Sequence, residues 1–371
     1  MRLLGHNLTP PSTRLVSYLR EEGNPMAQID EFINAKRLDI YVKHLKVKKS
    51  QAMAAYHWNK HLAAAIMPAL QCMEVTLRNA IDLAVQTAPP KGAVGLWQTD
   101  RWWVSILPEY MGNTLIQPTD RYKLARNAHD RQDAQGFQLN SRGRRVLNRK
   151  LTEETQPEQA KNQIRAEGKA ITSERIIAGL TFGFWTTLMT DKYEDLSSDR
   201  LLWPGLFSEV FPHAPAGFGR EDVKKVIFRI KDLRNRVSHH EAVWKFSKDN
   251  PATGRPDPSR PVYGAAASCS LLNKHYDDIL DVIGWINPDR LKNFLSHGAD
   301  RRFRALCSVD GLNAYCDPAK ISQTAVIPDD NPAEAICQAL LNSGYTRLIR
   351  TDGSELIVAG TDIPAARHPV Q

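Results

Sequence analysis

The feature that most limits the fold of this chain is an apolar line that recurs at helical spacing. Successive apolar residues lie three or four positions apart, which places them on one face of an α-helix. They are Ile66, Leu70, Met73, Leu77, Ile81 and Ala84. A half-buried strand would instead alternate with a period of two. The pattern therefore predicts a regular helix that buries one face.

The same periodicity predicts further helices along most of the chain. The clearest runs from Glu221 to Val237, where the apolar residues again fall in line. Thr172 or Ser173 is the expected N-cap of another helix, because a short hydroxyl side chain can accept from the first free backbone amides. Beyond the helix over 66–84, helices are expected over 27–41, 52–70, 173–189, 221–237, 269–286 and 288–306.

The last forty residues change character. A short helix is predicted from Ala333 to Leu341, and residues 346–358 alternate around an Asp-Gly pair that favours a β-hairpin turn. Residues 249–261 hold four prolines and are expected to form a loop.

These patterns divide the chain into three parts. The expected organisation is a tail over 1–26, a helical domain over 27–308 and a C-terminal extension over 309–371. Within the helical domain, residues 87–120 are expected to be a connector with one short helix near Trp102 and Trp103.

Composition narrows the environment in which the chain works. Its five cysteines are scattered and never two residues apart, which favours neither a disulfide framework nor a zinc site. The longest apolar stretch, near residues 176–189, is too short to span a bilayer. We therefore expect a cytoplasmic protein without a metal, a cofactor or a membrane partner. The net charge of +8 makes an anionic partner plausible.

A basic stretch between Arg121 and Lys150 concentrates this charge. It holds nine Lys or Arg residues, with Tyr122 and Phe137 interleaved. One interpretation is a surface that follows RNA phosphates, and the other is an ordinary solvated surface. The candidate RNA-binding residues are Arg142, Arg144, Arg145, Arg149 and Lys150.

The motif that carries chemistry is the string from Leu233 to Glu241, at the end of the helix over 221–237. Cleavage of RNA by its own 2′-hydroxyl needs a group that accepts a proton, and a histidine suits that step. It also needs positive charge on the phosphorane, which a guanidinium fork can supply. His239 and Arg234 are the candidates, with Asn235 as an orienting polar group.

Geometry limits how these two residues can meet. Arg234 and His239 are five residues apart, which is roughly 140° around an ideal helix. They converge if the helix ends or distorts near Val237, or if two copies pair their motifs across a twofold axis, and we expect the second. The alternative is that His239 and His240 only complement the dipole at the helix C-terminus.

Four ordered blocks of sequence resemble the Abi-like abortive-infection family of the HEPN superfamily. They are Tyr56-His-Trp-Asn59 with the segment 70–81, the Phe-Gly-x-Trp block at 182–185, Leu202-Trp-Pro with Phe211-Pro212, and Arg234-Asn-x3-His239 with His240-Glu241. The resemblance covers roughly residues 28–300.

The resemblance implies an all-α, HEPN-like helical bundle, followed here by the small helix and hairpin extension. It implies that Arg234 and His239 are the catalytic pair and that Asn235 helps to hold the site. Similar proteins commonly dimerise through this motif and act as toxins of phage defence by cutting RNA. An antitoxin, either protein or RNA, is left open as a partner. No Tyr follows the motif, so control by nucleotidyl transfer is not supported.

Several neighbours of the motif are candidate supporting residues. Glu74, Arg78 and Asn79 could support the site from a nearby helix, with Glu74 partnering Arg78 or Arg234, or they could form an ordinary intrahelical ion-pair row. His240 and Glu241 are supporting candidates within the motif. The sequence thus predicts a metal-independent endoribonuclease, and the alternative is a non-catalytic HEPN-type module that binds RNA or protein.

Overall fold

The computed structural model describes residues 33–91, 122–127, 129–147, 152–197, 201–251 and 256–360. The helices in these residues are α1 (Ala35–Ile40), α2 (Ala52–Thr87), α3 (Thr152–Ala166), α4 (Ser173–Gly179), α5 (Phe182–Leu188), α6 (Phe207–Val210), α7 (Arg220–Ser238), α8 (Ala265–Ile286), α9 (Pro288–Ser296), α10 (Ala299–Leu306), α11 (Val309–Cys316) and α12 (Pro332–Leu341). The strands are β1 (Ser247–Asp249), β2 (Pro256–Pro261), β3 (Gln323–Ile327), β4 (Tyr345–Arg350) and β5 (Glu355–Ala359). The expectations for the tail over 1–26 and for a helix near Trp102 lie outside the described residues.

A predominantly helical fold is confirmed, and α2 is its central element. This helix runs through Pro68 without a break and is 36 residues long, which corresponds to about 54 Å. The apolar line predicted between Ile66 and Ala84 is buried along it. Helices α6, α7, α8, α10 and α11 pack against α2. None of the described helices has the length and apolar content needed to cross a bilayer.

Large aromatic side chains fill the core around α2. Trp58, Trp185, Trp203 and Trp244 are all fully buried. The Trp58 indole donates to the Leu306 carbonyl at 2.9 Å, which fixes α2 against the end of α10. Burying a tryptophan is favourable when its N–H has such an acceptor.

Helices α7 and α8 lie side by side and confirm the two predicted helices. Apolar residues of both helices are buried between them. At the edge of this seam the Arg229 guanidinium donates two hydrogen bonds to the Asp278 carboxylate, at 3.0 and 3.1 Å. A bidentate pair of this kind fixes orientation as well as distance, so α7 is held in one rotation about its axis.

The helix predicted over 173–189 is two helices, α4 and α5. Thr172 is the N-cap of α4, as expected. The chain then becomes extended at Leu180 and Thr181. The Thr181 backbone N–H and hydroxyl both donate to the Gln156 side chain of α3, which stabilises the break.

Two further local expectations were wrong, and one helix was missed. The segment expected to be a loop over 249–261 contains β2, which pairs antiparallel with β1. The helix expected over 288–306 divides into α9 and α10, because Gly298 has a left-handed φ of 79°. Helix α3 was not predicted, since few of its residues are apolar, although Ala160 and Ile164 are buried.

The C-terminal extension contains the predicted helix, α12, and the predicted hairpin, β4–β5. The structure adds β3, which was missed and which pairs parallel with β4. Helix α12 crosses over between these two strands and covers one face of the sheet, with a small core of Ile327, Ala339 and Leu348. Helix α11, by contrast, packs against α2, so the helical core extends past residue 308.

Candidate functional site

The candidate site lies at the C-terminal end of α7, where the sequence motif sits. The helix continues to Ser238, and the backbone N–H of His239 still donates to the Asn235 carbonyl at 2.9 Å. His240 then adopts a left-handed φ of 55°. The Glu241 N–H bonds back to the Arg236 carbonyl at 2.9 Å, which closes the helix end. Glycine is usual at such a left-handed position, so the loop holds a histidine in an uncommon conformation.

Two long-range hydrogen bonds of Asn59 hold this loop against α2. The Asn59 side chain donates to the Glu241 carbonyl at 3.1 Å, and it accepts from the Val243 backbone N–H at 3.0 Å. Asn59 is itself buried. Its amide therefore satisfies both a donor and an acceptor of the chain that follows the motif, which would otherwise lack partners in the core.

Arg37 of α1 contacts the same loop. Its guanidinium donates to the His240 carbonyl and lies 5.9 Å from the centre of the Tyr56 ring. The left-handed residue of the loop is thus fixed by a side chain some two hundred positions earlier in the sequence.

Arg234 faces a different environment from the loop. It is half-buried and lies near Glu74 and Arg78 of α2. Burial raises the pKa of the Glu74 carboxyl group, and the positive charges of Arg234 and Arg78 partly offset that rise. The charges of both arginines act on Glu74, although neither forms an ion pair with it within the described residues, and the predicted partnership of Glu74 with Arg78 or Arg234 stays a prediction. The Arg78 Nε atom is buried and has no hydrogen-bond partner within the described residues.

The remaining motif residues lie closer to solvent. His239, His240 and Glu241 are exposed and Asn235 is half-buried, while Asn79 is exposed on α2. Helix α7 ends at Ser238, one residue after Val237, and His239 is its C-cap. Both predicted routes to a joint site, the end of the helix near Val237 and the pairing of two copies, therefore stay predictions.

The raised pKa of Glu74 gives a testable pH dependence. A carboxyl group whose pKa is raised by folding stabilises the fold at low pH and loses that contribution as the pH rises through the folded pKa. We therefore expect Glu74→Gln to gain stability relative to wild type between pH 4 and pH 7. The positive charges of Arg234 and Arg78 oppose the shift and so limit the gain.

Urea unfolding at the two pH values measures this difference. Glu158→Gln removes an exposed carboxylate on α3 and serves as the matched control. If the free energy of unfolding of Glu74→Gln, relative to that of wild type, fell as the pH rises from 4 to 7, the electrostatic interpretation would be contradicted.

The predicted RNA-binding stretch forms a small irregular β-structure over 122–147. Isolated bridges join Tyr122 to Leu147 and Leu139 to Arg145. Arg142 and Arg144 are exposed on a turn that Asn140 closes. Arg145 instead pairs with Asp133 and lies over the Phe137 ring at 4.5 Å.

Arg145 therefore stabilises this β-structure through its ion pair and its aromatic contact. Binding of RNA by Arg142, Arg144 and Arg145 stays a prediction. Arg149 and Lys150 lie outside the described residues.

The structure reveals supporting residues that were not predicted as such. No sequence pattern pointed to Arg37. Asn59 was noted only as part of the block over 56–59 that resembles the Abi-like family. Arg236 donates to the Lys245 carbonyl and so fixes the segment that follows the loop. Among the described residues, no group of three or more His, Cys, Asp or Glu side chains could hold a metal ion.

A comparison with protein families gives one match. The family described as Abi-like protein matches residues 16–245, which is more than half of the chain. The matched region contains the whole motif helix and ends shortly after the loop that Asn59 holds. It is shorter than the predicted resemblance, which extended to about residue 300. No curated protein and no solved structure matches the chain.

Proposed function

The chain belongs to the Abi-like protein family, which associates it with abortive infection, and from this premise we propose that it is an endoribonuclease. The observation that carries the proposal is the presence, near one helix end, of an exposed His239 and of a half-buried Arg234 whose positive charge acts on Glu74. The chemical class is cleavage of RNA by its own 2′-hydroxyl.

In the proposed reaction His239 removes the proton of the 2′-hydroxyl. The 2′-oxygen then bonds to phosphorus, and the bond from phosphorus to the 5′-oxygen of the next nucleotide breaks. A proton returns to that leaving oxygen. The products are an RNA end with a 2′,3′-cyclic phosphate and an RNA end with a free 5′-hydroxyl.

Arg234 supplies the positive charge that the reaction needs. Its guanidinium fork matches two oxygens of the phosphorane, whose negative charge grows in the transition state. The guanidinium groups of Arg234 and Arg78 both act on the single carboxylate of Glu74. Two positive charges therefore face one negative charge, which leaves an excess of positive charge for a phosphate. The unsatisfied Arg78 Nε adds a hydrogen-bond donor to this cluster.

The proposal includes a homodimer, because Arg234 and His239 diverge by roughly 140° on one helix. Two motifs facing each other across a twofold axis would place His239 of one copy beside Arg234 of the other. One histidine could then act as base and the other as acid. The expectation of a HEPN-type arrangement belongs to this proposal.

The second candidate function is a non-catalytic module that binds RNA or a protein. The observation that favours it is the exposed position of His239, whose side chain makes no hydrogen bond within the described residues. In that case the motif would grip a phosphate without breaking it.

One assay separates the two functions. The purified protein is incubated with a labelled single-stranded RNA in excess EDTA, and the product ends are identified by their chemistry. We expect cleavage that leaves 2′,3′-cyclic phosphate ends. RNA that binds to the protein and stays intact would contradict the nuclease proposal and favour the binding module.

A further inference from the structure

A group of three lysines gathers near the motif, in a place that the sequence did not single out. We call Lys43, Lys46 and Lys245 the lysine cluster. They come from two segments some two hundred residues apart, and the positive charge of each acts on the buried side chain of His44. All three lysines are exposed.

Backbone hydrogen bonds hold these segments in place. The Gly264 N–H donates to the His44 carbonyl at 2.7 Å, and the Val262 N–H donates to the Phe246 carbonyl at 2.9 Å. Tyr263, between these two contacts, stacks on the His44 ring with centroids 5.2 Å apart. The lysine cluster therefore stands on a fixed framework rather than on a loose loop.

The charges of the lysine cluster act on one another. Burial lowers the pKa of His44, and the positive charges of Lys245, Lys43 and Lys46 lower it further. The Lys46 ammonium lies 4.8 Å from the centre of the Tyr263 ring, which keeps it beside the others. Within the described part of the chain, none of the three lysines forms an ion pair. Like charges held together without a carboxylate favour an anionic partner.

Arg236 connects the motif helix to the segment that carries Lys245. Arg236 donates to the Lys245 carbonyl and lies 5.4 Å from the centre of the Phe246 ring. His239 follows Arg236 by three residues, which is about 60° around the helix. Arg236 and His239 thus lie within one turn on the same side of the helix, and the segment that carries Lys245 is bonded to Arg236, whereas Arg234 lies near Glu74 of α2.

We propose that the lysine cluster binds the phosphate backbone of single-stranded RNA and leads the strand to His239. This inference rests on the proposed function, because it assigns the path of the substrate. Exposed ammonium groups beside an aromatic ring are typical of surfaces that bind single strands without sequence preference. The framework of backbone contacts would keep the spacing of the charges constant while a strand slides past.

The test measures binding separately from cleavage. In a His239→Ala background, which removes the proposed base, the affinity for a labelled 12-nucleotide oligouridine is measured by fluorescence anisotropy across a salt series. The protein with His239→Ala alone is compared with the cluster variant, which also carries Lys43→Gln, Lys46→Gln and Lys245→Gln. We expect affinity to fall at least about tenfold, and the salt dependence of the logarithm of affinity to flatten by about 2, since each lost single-strand contact contributes about 0.7.

A matched control removes the same charge elsewhere. Lys192, Lys274 and Lys292 are exposed on other parts of the helical body, and their replacement by glutamine should leave the salt dependence of binding unchanged. A second comparison, Arg142→Gln with Arg144→Gln, tests the β-structure over 122–147 as the RNA surface.

The outcomes distinguish this inference from the proposed function. Equal effects of the two lysine triples, or a loss of salt dependence only in the arginine pair, would overturn the inference, even if the wild type cuts RNA. Polyglutamate that competes as well as RNA would also overturn it and would indicate an acidic protein partner. A wild type that never cuts, combined with a selective loss in the cluster variant, would overturn the nuclease and leave the RNA-binding surface standing.

Discussion

Replacement of His239 by alanine is expected to slow RNA cleavage by at least about 100-fold, because general acid–base groups contribute factors of that size or more. The fold should be nearly unaffected, since the side chain is exposed at the end of α7. Replacement of Arg234 by alanine should cost about 100-fold to 1,000-fold through lost charge stabilisation. Arg234→Lys should recover little of this, because it keeps the charge and loses the planar fork.

The chain offers a matched control for this prediction at His297. That histidine is also exposed, and it is the C-cap of α9 with φ −90° and ψ 0°, close to the φ −91° and ψ 9° of His239. If His239 only complements a helix dipole, neither alanine variant should affect cleavage, and His297→Ala should lower stability more, because His297 Nδ1 also contacts the Asn293 carbonyl at 2.7 Å. Initial rates on one RNA and thermal unfolding of both variants decide between these interpretations.

Replacement of Asn59 by alanine is expected to have the largest effect on stability among the residues around the motif. It would leave the Val243 N–H and the Glu241 carbonyl without their partners, at a cost of about 2 to 4 kcal/mol. Cleavage should fall with it, because the loop that follows His239 would lose its attachment to α2. Urea unfolding and the RNA assay measure the two effects.

Two further variants sharpen this second prediction. Asn59→Asp keeps an acceptor for the Val243 N–H but places a carboxylate against the Glu241 carbonyl, so it should recover only part of the stability. Gln71→Ala, at an exposed position on the same helix, should change neither property. A stability loss below about 0.5 kcal/mol for Asn59→Ala, the range of ordinary surface changes, would mean that the loop is held by other contacts.

The sequence predicted those parts of the fold in which the signal is local. Helices α7 and α8 and the β4–β5 hairpin were found, because periodicity and an Asp-Gly turn identify such elements within a few residues. Helix α3 was missed, since its stability depends on packing against α4 and on few apolar residues of its own. Strand β3 was missed because its partner β4 lies about twenty residues away along the chain.

The same distinction applies to the candidate site. The motif residues could be named from their spacing and from a family resemblance, and the predicted pairing of Glu74 with Arg234 or Arg78 stays a prediction. The contacts of Arg37 and Asn59 with the loop join residues about two hundred positions apart. Nothing in either local sequence indicates such a partner. Arg145 was predicted to bind RNA because charge is visible in a sequence, whereas its pairing with Asp133 is not.

Because α2 is uninterrupted, its length is constrained in the evolution of this protein. Asn59 and Glu74 both sit on that helix, fifteen residues apart, and the rigid rod spaces them by about 22 Å. Adding or deleting a single residue between them would rotate one relative to the other by about 100°. Such a change would move Asn59 away from the loop that follows the motif, or Glu74 away from Arg234. Point substitutions are therefore open to this segment in evolution, whereas changes in its length are not.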